Sequence, residues 1–331
     1  MKILIVKLSS LGDVVHAMPA VQDIRRVFPH AQIDWVVERG FAPLVRRCAG
    51  VNRVIDCELR RWRKSPFATA TRRAWRAFRV ELQREHYDAV IDLQGLTKSA
   101  LVSWLAELAP GGKRYALAHR TEGSSYEAPA RWVADVAIHL ESHIHAVQRS
   151  RELCARALAD ALPPALSFGL SAAAPHALEN TGPQRSRVVA LVHGTSRADK
   201  QWPVQHWVAL GQRLNDSGYA VALIHGSDEE QRRSAEMAGQ LARASVWPRL
   251  GLDALTDALA GCTGVIGVDS GLSHIAVALD LPHVQIYNFD TAWRTGPPPS
   301  KRQLSVFARP APQVEAVWRA WLAVMTEART A

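Results

Sequence analysis

Short apolar runs rich in β-branched residues alternate with segments of helical periodicity along the whole chain. Runs of this kind are typical of strands buried on both faces of a parallel sheet. Strands that alternate with helices pair in parallel through right-handed crossovers, so the sequence predicts an α/β fold. The predicted strands are Lys2–Lys7, Ile33–Val37, Asp88–Leu93, Arg187–Val192, Tyr219–Ile224, Gly264–Val268 and Val284–Tyr287.

Helical periodicity fills the segments between these strands. The predicted helices include Val14–Phe28 (interrupted early by Pro19), His206–Asn215, Glu229–Ala242 and Gln313–Ala328. We expect the last helix to pack by its apolar face, with the first half of the chain as a candidate partner.

A proline-rich stretch without periodicity, Leu162–Arg187, separates the two series of strands. Its prolines are Pro163, Pro164, Pro175 and Pro183. We therefore predict two α/β domains, residues 1–165 and 166–310, and a C-terminal helix within 311–331. Open α/β sheets bind ligands at the carboxyl ends of their strands, so a ligand cleft is expected between the two sheets.

The charge of the chain is divided unevenly. Residues 1–165 hold 25 Lys and Arg against 17 Asp and Glu, whereas residues 166–331 hold 15 against 14. A charge that served only solubility would be spread evenly, so the first half is predicted to face an anionic partner. Nucleic acid, an acidic membrane surface and a phosphorylated substrate all fit this charge.

The composition favours a cytoplasmic protein without a structural metal. No apolar stretch approaches the roughly 18 residues that cross a bilayer, and the first residues do not resemble a signal peptide. The four cysteines are scattered, without a CxxC pair or histidines at metal-ligand spacing. They are Cys48, Cys57, Cys154 and Cys262. Reduced, buried thiols are the simplest interpretation.

The segment Lys7–Asp13 (KLSSLGD) joins the first predicted strand to the first predicted helix. Asp13 lies where the helix begins, so it either caps the helix by accepting a backbone N–H or serves as a general base. A carboxylate can take the proton of a sugar hydroxyl as that oxygen attacks an anomeric carbon.

The segment His193–Lys200 (HGTSRADK) follows the first strand of the second half. Its hydroxyl groups and backbone amides suit a phosphate, and Lys200 adds a positive charge. The P-loop spacing is absent, so a plain loop remains the alternative.

The segment Gly267–His274 (GVDSGLSH) is a second turn from strand to helix. Amides at a helix start, together with the helix dipole, can hold a diphosphate. The alternative is a capped turn with a histidine in the core.

Glu230 lies in a third such turn, His225–Glu230 (HGSDEE). Its carboxylate can accept hydrogen bonds from ribose hydroxyls, or can merely favour the helix dipole.

The segment Arg60–Lys64 (RRWRK) is followed by four more arginines before residue 80. The later arginines are interpreted as the solvated face of a helix whose apolar stripe is Phe67, Trp75, Phe78 and Leu82. Four cations in five residues repel one another, so RRWRK itself is predicted to meet a polyanion.

Taken together, these motifs resemble the bacterial ADP-heptose:lipopolysaccharide heptosyltransferases. The resemblance runs in order through MKILIVKLSSLGDVVHAMPA, IDWVVE, RRWRK, YDAVIDLQGLTKSA, HAVQRSREL, HGTSRADKQWP and GVDSGLSHIAVAL. It implies the GT-B fold, two Rossmann-like domains whose parallel sheets face a central cleft. It also implies an inverting transfer of heptose from ADP-L-glycero-β-D-manno-heptose to the Kdo of Kdo-lipid A, with release of ADP and no cofactor.

The resemblance assigns a role to each candidate residue. Asp13 corresponds to the general base. The donor would be held by Thr195, Ser196, Lys200, Glu230, Asp269, Ser270, Gly271 and His274. The anionic acceptor would be held by Arg60, Arg61, Arg63, Lys64 and Arg120.

Two alternatives remain open at this point. A heptosyltransferase II would share the donor residues but act on an already heptosylated acceptor, and RRWRK and LQGLTKSA favour heptosyltransferase I. A basic nucleic-acid-binding α/β protein is disfavoured because no nucleic-acid motif or stacking-aromatic signature is present. With a lipid-linked acceptor, the enzyme is expected in the cytoplasm, in loose contact with the inner membrane.

Overall fold

The computed structural model describes residues 1–173 and 187–330. The chain divides into two compact units, Met1–Ser171 and Ala172–Ala331. The division falls inside the predicted linker, whose Pro175 and Pro183 lie outside the described residues.

The first unit is a parallel sheet of six strands with helices between them, in the order β3-β2-β1-β4-β5-β6. The strands are β1 Lys2–Val6, β2 Gln32–Glu38, β3 Arg53–Cys57, β4 His86–Asp92, β5 Glu107–Leu117 and β6 Val136–Ile138. The helices are α1 Leu11–Val27, α2 Ala42–Arg46, α3 Leu59–Lys64, α4 Thr69–Leu82, α5 Thr97–Leu105, α6 Pro129–Val133 and α7 Ala146–Ala157.

The described part of the second unit repeats this arrangement, with the order β12-β11-β10-β7-β8-β9. Its strands are β7 Arg187–Val192, β8 Tyr219–Leu223, β9 Ala244–Val246, β10 Gly264–Val268, β11 His283–Tyr287 and β12 Gln303–Phe307. Its helices are α8 Val204–Asp216, α9 Asp228–Ala238, α10 Leu252–Ala260, α11 Gly271–Ala278, α12 Ala292–Thr295 and α13 Val314–Thr330. In each unit the first strand therefore lies beside the fourth, which is the strand order of a Rossmann sheet.

The predicted α/β class with two Rossmann-like domains is confirmed. All seven predicted strands are present, with ends within two residues of the observed ones, and α1 runs through Pro19. The sequence did not reveal β3, β5, β6, β9 and β12. These strands lie outside the central pair of each sheet. Some are short, and others mix polar and apolar residues because they are less buried, so none has a long continuous apolar run.

Apolar burial explains why the central strands were the easiest to predict. Ile3, Leu4, Ile5 and Val6 of β1 are completely buried, so both faces of this strand lie in the core. In the second unit α13 packs on α8, β11 and β12. It does so through Val317, Trp321 and Val324, all completely buried. Packing of α13 against the first half of the chain stays a prediction.

No helix among the described residues is both long enough and apolar enough to cross a membrane.

The packing of α1 against α7 contains a buried ion pair. Arg151 Nε donates to Asp23 Oδ2 at 2.6 Å, and Arg151 Nη2 donates to Asp23 Oδ1 at 3.2 Å. Both side chains are less than a tenth exposed. Arg151 Nη2 also donates to the Pro163 carbonyl at 2.6 Å, so one guanidinium joins both helices to the end of the unit.

We expect Arg151→Ala to lower the free energy of unfolding of the first unit by about 3–5 kcal/mol, because it leaves the Asp23 carboxylate buried without its partner. Urea unfolding followed by circular dichroism measures the change. Arg46→Ala is the control, because its pair with Asp56 is half exposed and should contribute less than about 1 kcal/mol. Equal losses in the two variants would contradict the expectation.

Candidate active site

The strand order of each sheet determines where a ligand site can form. Connections leave in opposite directions from the first and fourth strands, and ligands of open α/β sheets bind at that point. In the first unit the loops there follow β1 and β4, and in the second unit they follow β7 and β10. The loops of the second unit contain Lys200 and Asp269, and the first turn of α1, directly after the loop that follows β1, contains Asp13. The topology therefore accounts for three of the predicted site residues.

Asp13 is the third residue of α1, and one of its oxygens caps that helix. Ser10 donates to Asp13 Oδ2 through its backbone N–H at 3.1 Å and its hydroxyl at 2.8 Å. Asp13 therefore accepts a backbone N–H at the helix start, as the capping interpretation predicts, but the N-cap residue itself is Ser10. This contact accounts for only one carboxylate oxygen. Oδ1 lies 3.8 Å from Lys7 Nζ and 3.9 Å from an Arg149 Nη atom.

The surroundings of Asp13 keep it ionised. Burial alone would raise its pKa, but the Lys7 ammonium, His16 and the two Ser10 hydrogen bonds outweigh burial and hold the pKa well below its usual range. The side chain is still 35% exposed, so a ligand can reach it. A charged, accessible carboxylate is what a general base requires.

Lys7 and Arg149 are site residues to which the sequence analysis gave no role. Lys7 is 2% exposed, and its ammonium donates to the Leu93 carbonyl at 3.0 Å. Burial lowers its pKa, against the opposing effect of Asp13. Arg149, from α7, donates to the Thr121 hydroxyl at 3.2 Å. The position of Lys7, directly after a buried strand, could have marked it as a site residue in the sequence. Arg149 is far from Asp13 in the sequence, and only the fold brings the two together.

Two further cations meet at Ser9, next to the Asp13 turn. Lys98 Nζ donates to Ser9 Oγ at 2.8 Å, and Arg60 Nη2 donates to the same oxygen at 3.3 Å. Burial and the neighbouring Arg60 lower the pKa of Lys98. Lys98 begins α5 after β4, so the structure adds it to the candidate residues.

The RRWRK segment forms α3, and its tryptophan fixes the helix to the unit. Trp62 is 7% exposed, and its ring centroid lies 5.5 Å from that of Trp75 and 5.5 Å from that of Phe78. The basic residues on either side are left exposed: Arg60, Arg61, Arg63 and Lys64. Phe67 does not belong to the apolar stripe, which is a correction. It precedes α4 and is 88% exposed.

Arg120 lies beyond β5 and is exposed. Its Nε donates to the Ser124 carbonyl at 3.0 Å, which ties it to its own loop. The structure shows no contact between Arg120 and the residues around Asp13.

In the second unit a buried carboxylate joins the two loops that were predicted to hold a diphosphate. Asp269 Oδ2 accepts from Lys200 Nζ at 2.5 Å, and Oδ1 lies 3.3 Å from His274 Nε2. Burial would raise the pKa of Asp269, but His274 and Lys200 hold it well below its usual range. The Thr195 hydroxyl donates to the Asp269 carbonyl at 3.3 Å. The structure thus joins the loops after β7 and β10.

Ser270 and Gly271 form the start of α11, with Ser270 as the N-cap. The Ser270 hydroxyl is buried and has no hydrogen-bond partner among the described residues. Ser196 is exposed on the neighbouring loop. The Ser196 hydroxyl is therefore open to a ligand, and the Ser270 hydroxyl retains its hydrogen-bonding capacity at the positive end of the helix dipole.

Glu230 also lies beside these loops. Its Oε2 accepts the Gly226 N–H at 2.6 Å, and its own N–H donates to the Ser227 hydroxyl at 3.2 Å. A Cβ at Gly194 would lie 2.4 Å from Glu230 Oε1, so a larger residue there would displace the end of the Glu230 side chain. Glu230 stabilises its helix start and is also brought next to the loop after β7.

No group of three or more histidine, cysteine or acidic side chains in the described part of the chain could hold a metal ion.

Comparison with known proteins agrees with this arrangement. The model of glycosyltransferase family 9 (heptosyltransferase) matches residues 75–317. This chain belongs to glycosyltransferase family 9. Over 291 residues it is 39% identical to lipopolysaccharide heptosyltransferase 1 of Escherichia coli (strain K12), covering 87% of this chain and 88% of the relative.

Two further comparisons also cover most of both chains. Lipopolysaccharide heptosyltransferase 1 of Pseudomonas aeruginosa is 39% identical over 297 residues, which cover 87% of this chain and 78% of the relative. The solved structure of E. coli heptosyltransferase WaaC with ADP gives a TM-score of 0.84 at 35% identity, covering 96% of this chain and 98% of that chain. The resemblance to heptosyltransferases read from the motifs is confirmed.

We expect a buried histidine, His193, to make the second unit of this family 9 member sensitive to acid. His193 is 1% exposed, and its Nε2 lies 2.8 Å from the Ser234 hydroxyl. Burial, with Arg233 and His225 nearby, lowers the pKa of His193 from its ordinary value of 6.5 to about 4. Since the unfolded chain binds this proton more readily, stability is lost as the pH falls below about 6.5.

We expect His193 to account for about 2 kcal/mol of the stability that the second unit loses between pH 8 and pH 5. In His193→Gln, which keeps a polar partner for Ser234, urea unfolding should therefore depend less steeply on pH. His30→Gln, at an exposed position, is the control and should keep the wild-type slope. An unchanged slope in His193→Gln would show that another group carries the acid sensitivity.

Proposed function

We propose that this chain transfers L-glycero-D-manno-heptose from ADP-heptose to the Kdo of Kdo-lipid A, with inversion and release of ADP, in lipopolysaccharide inner-core biosynthesis. The 39% identity to heptosyltransferase 1 of E. coli supports the reaction. The observation that carries the mechanism is the Asp13 carboxylate, ionised and accessible at the carboxyl end of the central strand.

The donor diphosphate is assigned to the loops that Asp269 joins. Lys200 supplies a positive charge, and the start of α11 supplies backbone N–H groups and the helix dipole. The hydroxyls of Thr195, Ser196 and Ser270 complete this set, and Glu230 is assigned to the ribose. These groups stabilise the negative charge that develops on ADP as the anomeric bond breaks.

Asp13 is assigned the role of general base. The carboxylate takes the proton of the Kdo hydroxyl while that oxygen attacks the anomeric carbon from the face opposite ADP. Its depressed pKa makes it a weak base, so the proton moves as the new C–O bond forms and the hydroxyl loses basicity. Lys7, His16 and the Ser10 hydrogen bonds hold the carboxylate in its charged form before the reaction.

The acceptor is assigned to the basic residues of the first unit. Arg60, Arg61, Arg63 and Lys64 project from α3, and Arg120 projects from the loop after β5. Kdo-lipid A carries carboxylates and phosphates, and the Arg60–Lys98 cluster at Ser9 places two cations beside the proposed base. A polyanionic acceptor explains why the first half of the chain carries most of the positive charge.

The acceptor also implies a location. A lipid-linked acceptor is displayed at the membrane surface, so the enzyme is proposed to work in the cytoplasm, in loose contact with the inner membrane.

We expect Asp13→Asn to lower kcat about 10²–10⁴-fold, because the amide cannot accept the proton. ADP affinity, measured by calorimetry, should stay within about two-fold, since Asp13 lies in the other unit from the donor residues. Asparagine keeps an oxygen that can accept the Ser10 hydrogen bonds, so the helix cap is retained.

Ser10→Ala is the matched control. It removes one hydrogen bond from Asp13 but keeps the carboxylate, so kcat should fall less than about ten-fold. Near-wild-type turnover in Asp13→Asn would remove Asp13 from the mechanism.

Replacing Arg61, Arg63 and Lys64 together by glutamine is expected to raise the acceptor KM about ten-fold or more, and to weaken the rise of KM with salt. Steady-state kinetics with Kdo-lipid A at several salt concentrations measures both. The control is K301Q/R309Q/R319Q, three exposed cations of the second unit, which should leave KM unchanged. Preference for a heptosylated acceptor in the wild-type assay would instead indicate a heptosyltransferase II.

A further inference from the structure

The exposed face of α4 is unusual among the helices of this protein. Its inner face buries Phe78 and Leu82, and its outer face carries four exposed arginines: Arg72, Arg73, Arg76 and Arg79. We call these four side chains the cationic face. They are separate from the α3 residues assigned to the acceptor. Their spacing places them on one side of the helix, along about two turns.

The arginines of the cationic face lack the ion pairs with acidic residues that arginines on other surface helices of the chain form. In α7, α9 and α13 an arginine pairs with a glutamate one turn away: Arg156 with Glu152, Arg233 with Glu229 and Arg319 with Glu315. Within the described residues, none of the four α4 arginines has an ion-pair partner. The one acid of α4, Glu81, pairs with Arg53 at 2.8 Å.

Apolar side chains lie beside these charges. Phe67, two residues before α4 begins, is 88% exposed, and Val80 on the outer side of the helix is 72% exposed. A single exposed apolar residue is common on protein surfaces, so the observation here is that both lie next to the unpaired arginines. The combination of arginines with exposed apolar residues is typical of helices that lie in a membrane interface.

We propose that the cationic face and Phe67 dock this protein on the surface of an anionic lipid bilayer. The arginines meet lipid phosphates, and Phe67 and Val80 enter the boundary between headgroups and acyl chains. The proposal rests on the proposed function in one respect: a lipid-linked acceptor is the reason why this protein would bind a membrane. The structural argument is that the unpaired arginines suit the anionic headgroups and that their apolar neighbours suit the acyl-chain boundary beneath them.

The test uses the full chain and vesicles that contain no acceptor. Flotation is compared between vesicles of phosphatidylcholine mixed with phosphatidylglycerol and vesicles of phosphatidylcholine alone. We expect binding to the anionic vesicles only, weakening as salt is raised. In R72Q/R76Q/R79Q the partition coefficient should fall on the order of 100-fold. In Phe67→Ser binding should also fall, with the same dependence on salt as the wild type.

The matched control removes three exposed cations from the second unit, K301Q/R309Q/R319Q, and should float as the wild type does. Equal losses in the two triple variants would mean that only net charge matters, and would overturn the proposal. Equal binding to neutral vesicles would overturn it as well. Tighter binding of RNA than of anionic vesicles, lost in R72Q/R76Q/R79Q, would assign the surface to nucleic acid instead.

Activity on a deacylated, water-soluble acceptor separates this proposal from the proposed function. R72Q/R76Q/R79Q should keep wild-type turnover on that acceptor. If the wild type has no turnover there but floats as expected, the reaction assignment fails and the docking surface stands. If turnover is normal and flotation is absent, the docking surface fails and the reaction assignment stands.

Discussion

The candidate site of the first unit depends on the contact between the Asp13 carboxylate and the cations around it. Three separate elements bring those groups together. Lys7 follows β1, Asp13 lies in the first turn of α1, and Arg149 lies on α7. The buried pair between Asp23 and Arg151 holds α7 against α1, so a structural ion pair also determines where Arg149 reaches. The site is therefore a property of the packed unit, and the Lys7–Asp13 loop alone would not produce it.

The second unit uses the same strand order and a similar contact for a different purpose. Asp269 is also a carboxylate held by cations, but it is 7% exposed and both of its oxygens are engaged, by Lys200 and by His274. Asp13 is 35% exposed, and its Oδ1 has cations only at 3.8 Å and beyond. A saturated, buried carboxylate can position its neighbours but cannot accept a proton from a ligand. The difference in exposure and bonding supports the assignment of Asp13, and not Asp269, as the base.

The parts of the molecule that the sequence predicted are those set by local pattern. Fully buried strands such as β1 and β10 have continuous apolar runs, and a turn between strand and helix is a recognisable place for a site residue such as Asp13. Lys98 and Arg149 were missed because their contacts with Ser9 and Asp13 join residues far apart in the chain. The outer strand β5 was missed because Pro110, Gly111 and Gly112 interrupt it. Phe67 was misplaced because apolar spacing does not show where the helix begins.

The structure also shows where the charge excess of the first half resides. Lys7, Lys98 and Arg149 are wholly or partly buried and engaged with carbonyl, hydroxyl or carboxylate oxygens, so they are compensated within the protein. The excess is instead carried by exposed side chains on α3 and α4, held in place by the packing of Trp62 against Trp75 and Phe78. Repulsion among such charges opposes folding, and a core of three aromatic rings beneath them offsets it. The cations and the aromatic rings that support them together form a fixed positive surface. A polyanionic, lipid-linked acceptor would require such a surface.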